Sequence, residues 1–325
     1  MRGWLRRTAV FGLAMSWAAL ASAQDYPSRP ITIVVPWAAG GPTDVVTRIL
    51  GQAMSTDLKQ PVVVENLGGA SGTVGAARAA RATPDGYTLF LHNISHATAP
   101  SLYKSLPYDP VEDFEPIGLI LDVPQAVVSK NALPAKTLPE LVAYLKANRD
   151  KVNLAQAGRG SGSHLCALLF MSAIDTKLTE VAYKGTGPAI TDLMGGQVDV
   201  MCDQVSNTGN QIKAGTIRGY CTTIKSQVAS LPDVRPCTEA GLPGFDASVW
   251  HGLYAPKGTP KPVLDRVNVA LRAALRDGTV KARLAELGAV PVAETDVTPS
   301  ALRSHLKAQV EKWATVIRAA KLQPE

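Results

Sequence analysis

An α/β architecture is the fold class this sequence predicts, and three observations carry it. Short β-rich runs alternate with amphipathic helical segments along the chain. The 325 residues suffice for about two domains of ordinary size. Hydrophobic residues make up 46% and charged residues 18%, which excludes a disordered chain and allows a sizeable core without staples.

Residues 1–23 carry Arg2, Arg6 and Arg7, then an apolar run over about 8–20, then Ala21-Ser22-Ala23. That layout predicts a secretory signal peptide cleaved after Ala23 and a periplasmic mature chain. The apolar run is shorter than the roughly 20 residues that span a bilayer. Arg6-Arg7 leaves twin-arginine export open beside the general secretory route.

In the first lobe, residues 31–35 read as a strand ending at Pro36. A helix over 43–58 follows, with Val46, Ile49, Leu50, Ala53 and Met54 on one face. A strand over 61–65, a loop over 68–72, a helix over 74–81 and a strand over 87–92 complete the lobe. The β-rich run 117–129, interrupted by Pro124, suits a strand crossing between lobes. Thr137-Leu138-Pro139-Glu140 is a capping box opening a helix to about 148. Strands over 152–156, 179–183, 198–203 and 217–223 then alternate with helices over 164–174 and 188–194. Residues 248–255 return to the first lobe. A helix over 262–276 buries Val263, Leu264, Val267, Leu271 and Leu275. The last helix is capped by Thr298 with Pro299 first, and Leu302, Leu306, Val310, Trp313 and Ile317 form its stripe. The expected organisation is a signal peptide over 1–23, a first lobe from 24–124 and 244–325, and a second lobe over 125–243.

The formal charge of +6 suggests an anionic partner such as nucleic acid. Removing 1–23, which holds three arginines and no acid, leaves only +3. Aromatic residues are 6% and no run of five basic residues occurs, so nucleic acid is excluded. Cys166, Cys202, Cys221 and Cys237 show no C-x-x-C spacing. In an oxidising compartment one structural disulfide is expected among Cys202, Cys221 and Cys237, with the pairing left open.

The chain lacks G-x-S-x-G, H-E-x-x-H and the phosphate-binding P-loop motif. Gly158-Arg159-Gly160-Ser161-Gly162 brings its third glycine one position too early for a dinucleotide fingerprint. His92 and His96 are four apart but are expected on a loop as polar residues, without the third ligand that zinc needs. No catalytic residue, metal or cofactor is expected, and the chain reads as a non-enzyme. Two glycine loops share one design: residues 36–44 and 158–164 each join a strand end to a helix start. Small residues bring backbone N–H groups close to a ligand, and the helix start adds partial positive charge. Facing each other across a cleft, they would clamp an anion.

YPSRPITIVVPWAAGGPTDVVTRIL, QPVVVENLGGASGTVGAARAARATPDGYTLFL, YKGTGPAITDLMGGQVDVMCDQ and IKAGTIRG, with LPDV, EAGLPGF and the run from Trp250 to Pro260, resemble the Bordetella uptake gene (Bug) family. These are the extracytoplasmic receptors of tripartite tricarboxylate transporters, and the resemblance covers essentially the whole mature chain. It implies a two-lobed periplasmic-binding-protein fold, a Venus flytrap with each lobe a sheet flanked by helices. It also implies a small carboxylate ligand: a di- or tricarboxylate, an acidic amino acid or an aromatic acid. The implied partners are membrane permease subunits, and the expected state is a monomer. Carried onto this sequence, the ligand residues are Trp37, Ala39, Gly41 and Thr43 in the first loop and Ser95 after the third strand. In the second lobe they are Ser161, Ser163, His164, Tyr183 and Asp203. Asp44 is expected to stabilise a helix start, and Arg159 either meets a second carboxylate or points to solvent. An acid at Asp203 leans towards an amine- or amide-bearing solute. A periplasmic hydrolase on the same scaffold and a ligand sensor for a signalling partner are the alternative functions.

Overall fold

Parallel βαβ units build both halves of the molecule. The computed structural model describes residues 26–245, 247–319 and 322–324; the expected signal peptide over 1–23 lies outside them. Strands β1 (Ile31–Val35), β2 (Val62–Asn66) and β3 (Thr88–Asn93) are parallel, joined through helices α1 (Pro42–Leu58) and α2 (Thr73–Ala80). Helix α1 starts at a proline, whose fixed φ suits the first turn. Its Val46, Ile49, Leu50, Met54 and Leu58 are buried against Ile31, Ile33, Leu89 and Leu91. Each such side chain contributes roughly 1.5–3 kcal/mol through burial.

The 17-residue strand β4 (Phe114–Lys130) serves both halves. Up to Pro124 it pairs antiparallel with β9 (Ser248–Pro256), which also pairs with β3; from Gln125 onward it pairs with β7 (Val200–Gln204). Pro124 stands where the partner changes and has no N–H to lose from the ladder. The second half adds β5 (Asn153–Gln156) and β6 (Thr179–Ala182), giving the order β2-β1-β3-β9-β4-β7-β5-β6. Strands β8 (Ile217–Thr222) and β10 (Val290–Pro291) lie beside β4. A short stretch beside β4 makes the second crossing: Thr223 N–H donates to Gln125 O and Ala247 N–H to Thr223 O, each at 2.8 Å.

Four expectations change. The segment after β3 is helix α3 (Ser95–Leu102), opened by Ser95 N–H donating to Asn93 Oδ1 at 3.0 Å. His92 is therefore on a strand and His96 on a helix, 1% and 0% exposed, with ring centroids 5.2 Å apart. They are not polar loop residues: Phe90, Phe114 and Tyr254 surround them, and burial outweighed the helix-weakening Pro100. Two disulfides form rather than one. Cys166 on α5 (Gly162–Ala173) bonds Cys202 on β7, and Cys221 on β8 bonds Cys237 on α8 (Cys237–Ala240). Helix α5 lies on β7 and brings Cys166 into reach, a tertiary contact that spacing does not encode. Helix α7 (Val205–Lys213), rich in Ser, Asn, Thr and Gly, has only Val205 and Ile212 as large apolar residues, too few to mark a helix by their spacing. Helix α10 (Gly278–Glu286) was likewise not foreseen; it follows α9 (Lys261–Arg276) after one residue. Helices α4 (Leu138–Ala147) and α6 (Thr186–Met194) fall on segments read as helical, and α11 (Pro299–Ala319) buries Leu302, Leu306, Trp313 and Ile317.

Asp44, 3% exposed, ties the first glycine loop to this scaffold. Its carboxylate accepts from Gly40 N–H at 2.9 Å, Arg48 Nε at 3.1 Å and Asn66 Nδ2 at 3.0 Å. Burial raises the Asp44 carboxyl, but these bonds outweigh it and hold it below its ordinary value.

Two stability measurements test these ties. Replacing Cys221 and Cys237 together by alanine opens a loop of 16 residues and should cost about 3 kcal/mol in urea unfolding. Asp44→Asn should cost about 1–3 kcal/mol at neutral pH. A depressed carboxyl contributes its stability above the unfolded-state value of about 4 and loses it below. The gap between wild type and variant should therefore close as the pH falls through that range.

Candidate ligand site between the lobes

Helix starts from both lobes converge on a narrow cavity, with about 20 Å³ open to the centre of a water-sized molecule. The first lobe contributes Trp37, the α1 start at Gly41, Pro42 and Thr43, and Asn93, the last residue of β3. The second contributes Ala157, the α5 start at Ser161, Gly162 and Ser163, Thr186 at the α6 start, and Asp203 and Gln204 at the β7–α7 junction. The first N–H groups of a helix have no intrahelical partner and carry about half a positive charge together. Four such ends meet here, and Asp203 is the one formally charged side chain in the lining. The cavity thus offers donors to an anion without lysine or arginine.

Each loop is held from behind. Thr43 Oγ1 accepts from Asn93 Nδ2 at 3.1 Å and lies 3.3 Å from His251 Nε2. Ser161 Oγ caps α5 by accepting from His164 N–H at 3.1 Å, and Ser163 Oγ accepts from Ala157 N–H at 2.9 Å. His164 Nδ1 accepts from Gly160 N–H at 3.0 Å, so the ring proton sits on Nε2, 3.5 Å from Glu180. Burial, with the Arg159 charge nearby, pushes His164 down to about 4. Burial likewise lowers His251 to about 4 and His96 to about 3. These rings are neutral scaffolding at physiological pH. Among the described residues no group of three His, Cys, Asp or Glu is set to hold a metal ion.

The lobes touch around the cavity. Thr98 Oγ1 of α3 donates to Gly160 O at 2.9 Å. Gly160 has φ +82°, and a Cβ there would lie 2.3 Å from Leu102 Cδ1. A Cβ on Gly187 would lie 2.7 Å from Ala39 O. Arg159 donates to the main-chain oxygen of Gln323 near the C-terminus.

Of the residues expected at the ligand, Trp37, Gly41, Thr43, Ser161, Ser163 and Asp203 lie together in the lining, and four do not. Ala39 is exposed at the loop tip, its carbonyl facing Gly187. Ser95 is buried in the first turn of α3, behind Asn93. His164 faces Gly160 and Glu180. Tyr183 donates its hydroxyl to Asp192 at 2.7 Å. Asn93, Thr186 and Gln204 line the cavity and were missed. Gly185-Thr186-Gly187-Pro188 repeats the design of the other two loops, a legible signal. Gln204 follows from α7, which the pattern does not reveal.

The family model described as the tripartite tricarboxylate transporter family receptor (TctC) matches residues 46–322. An Agrobacterium vitis protein, the UPF0065 protein in the TAR-I ttuE-ttuC' intergenic region, is 50% identical over 302 residues, 93% of this chain and 87% of the relative. BugT of Bordetella pertussis is 35% identical over 318 residues, 96% of this chain and 97% of its own. The solved periplasmic binding protein BugD superposes with TM-score 0.90 at 45% identity, covering 92% of this chain and all, 100%, of its own. MatC from Rhodopseudomonas palustris with bound malate gives TM-score 0.85 at 38% identity, with 90% and 100% covered. An R. palustris protein with adipate gives 0.88 at 29%, with 93% and 100% covered. These neighbours share the two-lobed periplasmic-binding-protein fold. The chain belongs to the Bug family of tripartite tricarboxylate transporter receptors, periplasmic solute-binding proteins.

Proposed function

We propose that this protein captures a small dicarboxylate between its lobes and hands it, chemically unchanged, to the membrane permease of a tripartite tricarboxylate transporter. The convergence of four helix starts from both lobes on a cavity without basic side chains carries the reading. Malate and adipate in solved relatives support a dicarboxylate. Trp37, Gly41, Thr43, Asn93, Ser161, Ser163, Thr186 and Asp203 contact the ligand. Ser95, His164 and Tyr183 position the loops, and Ala39 meets the opposite lobe. The lobes, 24–124 with 244–325 and 125–243, rotate about the junction at Pro124 and the second crossing through Thr223. Residues 1–23 direct the chain to the periplasm.

A thermal-shift panel of mono-, di- and tricarboxylates tests the ligand class. A bound diacid at about 100 times its dissociation constant adds roughly 2.7 kcal/mol, a shift of several degrees. A shift with a neutral sugar but with no small acid would sink the proposal. Recovery of an altered acid would point instead to an enzyme. Closure has its own test. Gly187→Leu should push the lobes apart through Ala39 O, so diacid affinity should fall at least tenfold while the unliganded melting temperature moves by only a few degrees. Unchanged affinity would mean that this contact plays no part in closure.

A further inference from the structure

Asp203 is a problem for a site built to take anions. It is 1% exposed, lines the cavity, and stands where four partial positive charges converge. Its Oδ2 accepts from Asn207 Nδ2 at 2.6 Å, while its Oδ1 is shielded from solvent and has no hydrogen-bond partner. An amide left this way could turn over and present its N–H₂, as Gln204 can; an ionised carboxylate can only accept. A buried acceptor left unpaired costs about 1–3 kcal/mol, and more if charged.

We infer that this cavity selects small diacids bearing a hydrogen-bond donor, a hydroxyl or amino group, beside a carboxylate, and that Asp203 Oδ1 accepts from that donor. The inference rests on the dicarboxylate-receptor reading and narrows it. The polar inventory divides accordingly. The helix-start N–H groups and the unpartnered Trp37 Nε1–H suit the acidic ends of a ligand. Asp203 Oδ1, buried and unpartnered, suits a donor, and the Gln204 amide can turn to serve either set. An unsubstituted diacid engages only the first set and leaves Asp203 unpaired. Burial raises the Asp203 carboxyl to about 7, against the hydrogen bond from Asn207 and the nearby Gln204 N–H and Thr186 hydroxyl, neither of which reaches Oδ1 with hydrogen-bond geometry. A donor, and most of all an ammonium, favours its ionised form.

Calorimetry on the exported protein, freed of bound ligand and held at pH 8, compares three four-carbon diacids: unsubstituted succinate, its 2-hydroxy form malate and its 2-amino form aspartate. One or both substituted acids should bind roughly 10–100-fold more tightly than succinate, the equivalent of an unpaired buried acceptor. Which of them does so identifies the donor. In Asp203→Asn the amide oxygen can face Asn207 and the N–H₂ the cavity, so the preference should shrink to within about threefold or reverse. Succinate binding as tightly as both others overturns the inference, as it would if a protonated Asp203 donated to a carboxylate. Retention of the full preference in Asp203→Asn also overturns it. If the variant does not fold, the wild-type comparison decides alone. If none of the three binds while other acids shift the melt, the donor rule fails and the receptor reading stands; if no acid binds, both fail.

Discussion

The first N–H groups of an α-helix point along its axis with nothing inside the helix to bond. That constraint organises the molecule. Strands β1, β5, β6 and β7 each run towards the cleft, and the helix after each begins at its rim, so their unsatisfied donors face one small space. Water or a ligand has to meet them, since leaving them buried and unpaired costs about 1–3 kcal/mol apiece. The site is a consequence of strand direction before it is a matter of side chains. This is why an anion can be held here without lysine or arginine.

Closeness is the second condition, and it explains the glycines at the rim. A helix end acts over one turn, so the loops of the two lobes must approach to contact distance. At Gly160 and Gly187 a Cβ would collide with the opposite lobe. Behind these loops the polar groups are spoken for. Asp44, Ser161, Ser163 and His164 each accept from a backbone N–H, and Asn93 Nδ2 donates to Thr43 Oγ1. Asp203 differs in keeping a buried oxygen unpaired, which makes it a feature of recognition and not of scaffolding.

The histidines illustrate how misleading spacing can be. His92, His96 and His251 lie beside the site, and a metal or an acid–base role would be an easy guess. All three are buried among aromatic and apolar groups that drive them to the neutral form. His251 reaches towards the cavity through Thr43, and His92 lies beside Trp37 of its lining, ring centroids 6.0 Å apart.

Much of the fold and the first shape of the site were legible in the sequence. The alternation of β-rich runs and amphipathic segments announced the α/β class. The prolines and glycines at 36–44 and 158–164 marked two helix starts, because Pro at a first turn and small residues before it have local physical reasons. The resemblance of ordered motifs supplied the lobes. Local signals could not show helix α7, whose mostly polar sequence packs against β4, β7 and β8, nor the helix carrying His96. They could not choose Asn93 over Ser95, or pair Cys166 with Cys202. Those outcomes depend on which surfaces meet after the chain has crossed between lobes, and contacts across 36 residues, as between Cys166 and Cys202, leave no trace in local spacing. Sequence alone determined where the helices after the two glycine loops begin and which of their groups could bond an anion. Tertiary structure decided which of those groups share one cavity, because only packing turns strand direction into convergence.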